Sequence, residues 1–157
     1  MTGQQNAQDS FEQGGDLKIS FPNEVLFDSG RAELKLAAAP VLDEMAQVLS
    51  TFSPTAVFGL RGRTDDRPLI SSVRFRDNFD LGYARADAAT RHLNGSGRLS
   101  LGRFQPGTRG DGAPIATNET PEGRAANRRV ELYVRGILTP EEIADFERET
   151  GSLTNTP

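Results

Sequence analysis

The stretch DNFDLGYARADAATRHLNG, Asp77 to Gly95, decides how the rest of the chain is read. Asp77 or Asn78 can cap a helix at its start, and Asn94-Gly95 supplies a stop, which predicts a helix over Asn78 to Leu93. At the 100° step of such a helix, Leu81, Ala88, Ala89 and His92 fall within about a third of the circle and form one apolar face. Arg85 falls in the middle of that face. A guanidinium there needs a carboxylate, because a buried unpaired charge costs several kcal/mol. The protein or a ligand can supply it, and the pattern alone leaves both open.

Working upstream, AVFGL (Ala56 to Leu60) has strand character and runs into Gly62-Arg63-Thr64-Asp65-Asp66-Arg67-Pro68. Strand ends and helix N-termini line one crevice in a parallel α/β arrangement, so Asp65 and Arg85 are expected to be neighbours. Side by side they could form a structural ion pair. They could also clasp a zwitterion, Asp65 taking an ammonium and Arg85 a carboxylate in a bidentate fork.

Before that strand, Leu34, Ala38, Val41, Leu42, Met45, Val48 and Leu49 recur at three- and four-residue steps, the mark of an amphipathic helix. Pro40 inside the pattern predicts a kink or a restart. Asp16 to Phe27 reads as a strand with a bend at Pro22-Asn23. After the second helix, Leu99 to Phe104 reads as a strand, followed by a Gly/Pro/Thr-rich loop to Pro121. Arg128 to Val134 alternates cleanly as a final strand. Strands alternating with helices predict an α/β sandwich with helices on a sheet. Thr139-Pro140-Glu141-Glu142 reads as a capping box opening a short helix whose Ile143 and Phe146 face the body. The expected organisation is a flexible lead-in over 1–15, one domain over 16–136, and a C-terminal extension over 137–157 with a short helix and a frayed tail.

Composition narrows the function. With 157 residues, 36% of them apolar, and no cysteine, the chain suits one domain with solvated ends and has no disulfide or thiolate metal site. His92 is the only histidine, leaving almost no material for His-based metal centres or Ser-His-Asp triads. Asp65-Asp66 is flanked by Arg63 and Arg67, which favours an ion-paired loop over a metal or acid/base pair. The net charge of -4 conceals 14 arginines against 9 acidic residues between Arg61 and Arg135. Those arginines are spread over expected turns and strand ends, without the single run that nucleic-acid binding favours. No apolar run approaches the roughly 20 residues needed to span a bilayer, and Met1 to Gly15 lacks the pattern of a signal peptide.

Five motifs then occur in order: FDSGRAEL (Phe27 to Leu34), GRTDDRP (Gly62 to Pro68), DNFDLGYARA (Asp77 to Ala86), GDGAP (Gly110 to Pro114) and NRRVEL (Asn127 to Leu132). Together, over roughly Ile19 to Arg135, they resemble the OmpA-like peptidoglycan-binding domain family. The resemblance implies an OmpA-like mixed β-sheet with helices packed on one face and a pocket for the diaminopimelate of the peptide stem. It implies that Asp65 and Arg85 hold the amino-acid end of diaminopimelate, supported by Phe27, Asp28, Thr64, Asn78, Leu81 and Arg128. Two positions depart from the family pattern: Gly82 where Ser is usual, and Arg63 where His often precedes Thr-Asp. Gly82 costs the helix about 1 kcal/mol relative to Ala, and Arg63 bears on how the glycan strand is met. Twelve residues between Asp65 and Asn78, with TDDRP, DNFDL and EGRAANRRVEL, make the spacing most like MotB and its relatives.

The expected function is therefore non-covalent wall binding in the periplasm by a fragment of a membrane-anchored or exported protein. No catalysis, cofactor or metal is expected. The partner is the peptide stem of peptidoglycan; homodimerisation stays open, nucleic acid is not expected, and a membrane enters only through a segment outside this chain. The alternatives are the same fold serving as a structural or partner-binding domain, and a cell-wall hydrolase.

Overall fold

The structure, a computed structural model, describes residues 17–69, 74–95 and 99–136, together with 141, 144, 145 and 147–149. Strand β1 (Leu17–Pro22) leads into a one-turn helix α1 (Asn23–Leu26). Helix α2 (Ala38–Leu49), strand β2 (Val57–Arg63) and helix α3 (Asn78–Asn94) follow. Strand β3 (Phe104–Gly110), helix α4 (Pro121–Asn127) and strand β4 (Arg129–Arg135) complete the order. The sheet runs β1-β4-β2-β3, with β4 antiparallel to both neighbours and β2 parallel to β3. This is the mixed, helix-backed sheet that the sequence predicts.

Alternation decides which face is dry. Leu17, Ile19 and Phe21 of β1, Phe58 and Leu60 of β2, and Val130, Leu132 and Val134 of β4 lie on one face of the sheet and are buried. They pack with Ala38, Leu42, Met45, Ala46 and Leu49 of α2 and with Ala86, Ala89 and Leu93 of α3. The buried stripe of α3 is thus centred on Gly82, Ala86, Ala89 and Leu93, rotated from the expected one. Ala88 and His92 lie on the flank of the helix, where His92 Nε2 meets Asp43 Oδ1 of α2 at 2.8 Å.

Three local expectations are corrected. Pro40 neither kinks nor restarts α2: it sits in the first turn, where backbone N–H groups have no helical acceptor. Leu99 to Phe104 is mostly not strand; Leu101–Arg103 is a 3-10 turn, and β3 begins at Phe104 and occupies the first part of the expected loop. Pro106 is tolerated there because β3 is an edge strand paired on one side only. Helix α4 was not expected, although Thr120-Pro121 carries the same cap-and-proline signal as Thr139-Pro140; Thr120 Oγ1 accepts from Gly123 N at 3.0 Å. The cap and apolar residues of the expected C-terminal helix, Thr139, Pro140, Ile143 and Phe146, lie outside the described residues.

The other face of the sheet overturns the reading that arginines keep to turns and strand ends. Arg61, Arg63 and Arg129 lie within strands and are buried. Glu131 explains how two of them can be. Its carboxylate accepts from Arg63 Nε at 2.9 Å, from Arg129 Nε at 3.0 Å and from the Tyr133 hydroxyl at 3.0 Å, with Lys18 Nζ at 3.2 Å. Burial works to raise the Glu131 pKa, but the two guanidinium groups outweigh it and hold it at about 2. Arg61 reaches across to β3, donating to Gln105 O at 2.6 Å and to Gln105 Oε1 at 2.8 Å. Arg63 therefore belongs to the sheet's internal charge network, away from any surface that a glycan strand could meet.

Candidate functional site

Two close approaches set the position of Arg85. A Cβ on Gly62 would fall 1.9 Å from Gly82 O, and a Cβ on Gly82 would fall 2.3 Å from Thr108 Oγ1. Helix α3 therefore rests on the sheet backbone to backbone, and this is the physical content of the Gly82 departure. Arg85, one turn further on, is carried down beside the end of β2.

The end of β2 is shaped by a bulge. Gly62 pairs with Thr108 but Arg63 pairs with Gly110, so β3 carries one extra residue. Gly110 absorbs it at φ +58°, with the Phe79 ring packed where a side chain would be. Its carbonyl then accepts from Thr64 N at 2.9 Å, and the chain turns out of the sheet at Asp65. Thr64 Oγ1 donates to Asp65 O at 2.8 Å, and Asn78 Nδ2 donates to Asp65 O at 3.2 Å and to Arg67 O at 3.0 Å. Thr64 and Asn78 thus spend their side-chain donors on the main chain that presents Asp65. Asp77 caps α3 as expected, accepting from Asp80 N at 2.9 Å.

A cavity of about 490 Å³ opens between this strand end, the start of α3, α1 and the turn that follows it. All eight residues singled out from sequence line it, joined by Asn23, Glu24 and Arg67, among others, which the sequence reading did not select. The FDSGR motif supplies one wall. Arg31 N donates to Asp28 O at 3.1 Å, closing a turn in which Gly30 takes φ +70°. The two carbonyls at its ends face Arg85, whose Nε donates to Arg31 O at 2.8 Å and whose Nη2 reaches Asp28 O at 3.4 Å. The guanidinium lies 5.4 Å from the centre of the buried Phe27 ring.

The two sequence-selected charges are not paired with each other. Among the described residues Arg85 is 4% exposed and makes no ion pair; its acceptors are main-chain carbonyls. Burial, helped by the nearby positive charge of Arg128 and opposed by Asp65 and Glu24, pulls its pKa down to about 10. Arg85 therefore stays cationic at neutral pH and is left in want of an anion. Asp65 pairs instead with Arg128, Nη1 to Oδ2 at 2.7 Å, while its Oδ1 accepts from Arg67 N at 3.0 Å. Arg128 also reaches Glu24 Oε1 at 3.3 Å. Burial acts against its charge, but Asp65 and Glu24 together hold its pKa above the ordinary arginine value. Leu81, 4% exposed, gives an apolar floor, and Asp28 is exposed at the mouth. The Asn23 amide is buried with neither of its polar atoms hydrogen-bonded.

Glu24 and Asn23 could have been suspected from Phe21-Pro22-Asn23-Glu24, since a proline ending an edge strand turns the next residues out of the sheet; nothing local said that they turn toward Arg128. Among the described residues no cluster of three or more His, Asp or Glu could hold a metal ion, and no helix is long and apolar enough to cross a membrane.

Fold and cleft define a class: a small α/β sandwich with a charge-lined cavity between a strand end and a helix start. The chain belongs to the OmpA family, whose sequence model matches residues 26–128. It is 38% identical over 119 residues to Probable lipoprotein YiaD of Escherichia coli K12, covering 76% of this chain and 51% of that protein. Motility protein B of Bacillus subtilis is 31% identical over 118 residues, 75% of this chain and 44% of that protein. The chain thus spans about half the length of the curated relatives it matches. Among solved structures, the cell wall anchor of the T6SS from Pseudomonas aeruginosa superposes with a TM-score of 0.70 at 31% identity, covering 83% of this chain and 94% of that one.

Proposed function

We propose that this domain binds peptidoglycan non-covalently, through the diaminopimelate of the peptide stem, and so tethers a membrane-anchored or exported protein to the wall in the periplasm. The observation that carries the reading is Arg85: a cation buried at the wall of a cavity, held by main-chain carbonyls and with no carboxylate partner among the described residues. A ligand carboxylate entering the cavity completes it in the bidentate geometry that a planar guanidinium favours. Asp65, presented on the same cavity by Thr64 and Asn78, takes the ligand's ammonium. Phe27 and Leu81 receive the methylene chain between the polar ends. The charged side chains lining the cavity, Glu24, Asp28 and Asp65 with Arg67, Arg85 and Arg128, balance, which suits a zwitterion.

The relatives support the wall as the setting, one of them being named as a cell wall anchor and others for motility and the outer membrane. The domain over 16–136 is the binding unit in this proposal, and it binds without turnover. Titration calorimetry with stem pentapeptides that carry meso-diaminopimelate or lysine at the third position tests it. The diaminopimelate peptide should bind, and the lysine peptide, whose side chain ends in an ammonium with no carboxylate beside it, should bind at least about tenfold more weakly, the loss of one charge-assisted contact. Equal affinity for the two, or release of soluble fragments from purified sacculi by the protein, would overturn it.

A further inference from the structure

We infer that Glu24 is a positioning residue of this cleft, acting through Arg128: it receives the Arg128 guanidinium when a ligand ammonium claims Asp65. The inference rests on the proposed binding of a zwitterion at Asp65 and Arg85. In this structure the carboxylate offered to the ammonium is already engaged, Asp65 Oδ2 accepting from Arg128 Nη1 at 2.7 Å. An ammonium brought to the same carboxylate would stand beside a second full positive charge. Like charges at that separation repel, and Arg128 must be held elsewhere for the ammonium to be bound well.

The receiving group is in place. Glu24 Oε1 lies 3.3 Å from Arg128 Nη2, so the guanidinium spans the two carboxylates and leans toward Asp65. The Arg128 side chain is 34% exposed and can shift, whereas the two backbones that carry the exchange are tied together: Asn23 N donates to Arg128 O at 3.1 Å. Lys35 Nζ fixes the other side of the turn by donating to Glu24 O at 2.8 Å. The Glu24 side chain is 57% exposed, so the pair contributes little to folding and its removal leaves the domain intact. Its consequence is felt at the ligand. Glu24 keeps Asp65 available to an ammonium, and the cleft favours ligands that bring both signs of charge.

The experiment is a double-mutant cycle read by calorimetric titration with meso-diaminopimelate, with thermal melts to verify folding. Glu24→Gln in the parent should weaken binding about fivefold to tenfold, the scale of one charge-assisted contact. In an Arg128→Gln background the same change should alter affinity less than about twofold, because the charge that Glu24 receives is gone. Equal losses in the two backgrounds would overturn the inference, since Glu24 would then be touching the ligand directly. Unchanged affinity of folded Glu24→Gln in the parent would also overturn it, leaving the wall-binding proposal standing. If the parent itself fails to bind diaminopimelate, that proposal falls and this inference with it.

Discussion

Gly82→Ala separates a helix held at a distance from its sheet from one seated on it. On an exposed helix the change adds about 1 kcal/mol of stability through helix propensity. Here the new Cβ would lie 2.3 Å from Thr108 Oγ1 and 3.0 Å from Gly62 O. Thr108 is not free to turn away, since its hydroxyl donates to Gly62 O at 2.7 Å and accepts from Gly110 N at 2.8 Å. Rotating it forfeits two hydrogen bonds of about 1 kcal/mol each. Leaving it in place forces α3 off the sheet, an overpacking cost of about 1–3 kcal/mol. After the propensity gain, the net loss is about 1 kcal/mol, a fall in melting temperature of about 4 °C for a domain of this size. Circular dichroism melts of parent, Gly82→Ala, Thr108→Ala and the double variant read it directly. The double should lose less than the sum of the singles, because Thr108→Ala removes the colliding atom. A higher melting temperature for Gly82→Ala would refute the close seating, and with it the account of how Arg85 is placed.

Acid stability should report the buried carboxylate of β4. Glu131 is held at about 2 against an ordinary 4.5, so its contribution is complete above about pH 4.5 and is lost as pH falls through about 2. In urea melts, Glu131→Gln should be less stable by about 3–5 kcal/mol near neutral pH, with Arg63 and Arg129 deprived of the Glu131 carboxylate, and that difference should shrink toward pH 2; a pH-independent difference would contradict this. Asn127, fully buried, accepts from Ile115 N and Ala116 N and donates to Ala116 O and Asn118 Oδ1. Asn127→Ala should cost about 2–4 kcal/mol and raise amide exchange at Ile115 and Ala116, whereas unchanged exchange there would remove its role as organiser of that loop. For the proposed domain limits, a chain ending after Gly136 should unfold cooperatively and still bind wall fragments, and loss of cooperativity would assign Ile143 and Phe146 to the core.

Much of this molecule can be read from its sequence where one period dominates. The stripe from Ala38 to Leu49 and the alternation of RVELYV each have one strong pattern, and the helix and the strand they imply are present. The misread segments are those where neighbours decide. Pro106 and Gly107 look like loop residues, but an edge position next to β2 makes them strand. The buried arginines look like surface residues until strand pairing sets Arg61 opposite Glu131 and Arg63 opposite Arg129. In the cleft, Asp65 and Arg85 were visible as a strand-end acid and a misplaced base. Their true partners were not, because the carbonyls of Arg31 and Asp28 are main-chain atoms that no side-chain pattern encodes. Arg128 and Glu24 are brought together across more than a hundred residues by the pairing of β1 with β4, a contact only the fold supplies.

The claim that matters most is that Arg85 holds a wall-derived carboxylate. Retention on purified sacculi, measured for parent, Asp65→Ala, Arg85→Ala and Arg85→Lys beside their melting curves, tests it most directly. Asp65→Ala and Arg85→Ala should fold yet no longer sediment with sacculi, each having lost a contact of about 1.5–3 kcal/mol from a weak site. Arg85→Lys should recover little, since an ammonium cannot offer the planar fork. Folded Arg85→Ala that sediments with sacculi as well as the parent would show that Arg85 does not hold the wall, leaving a shared fold without the shared site.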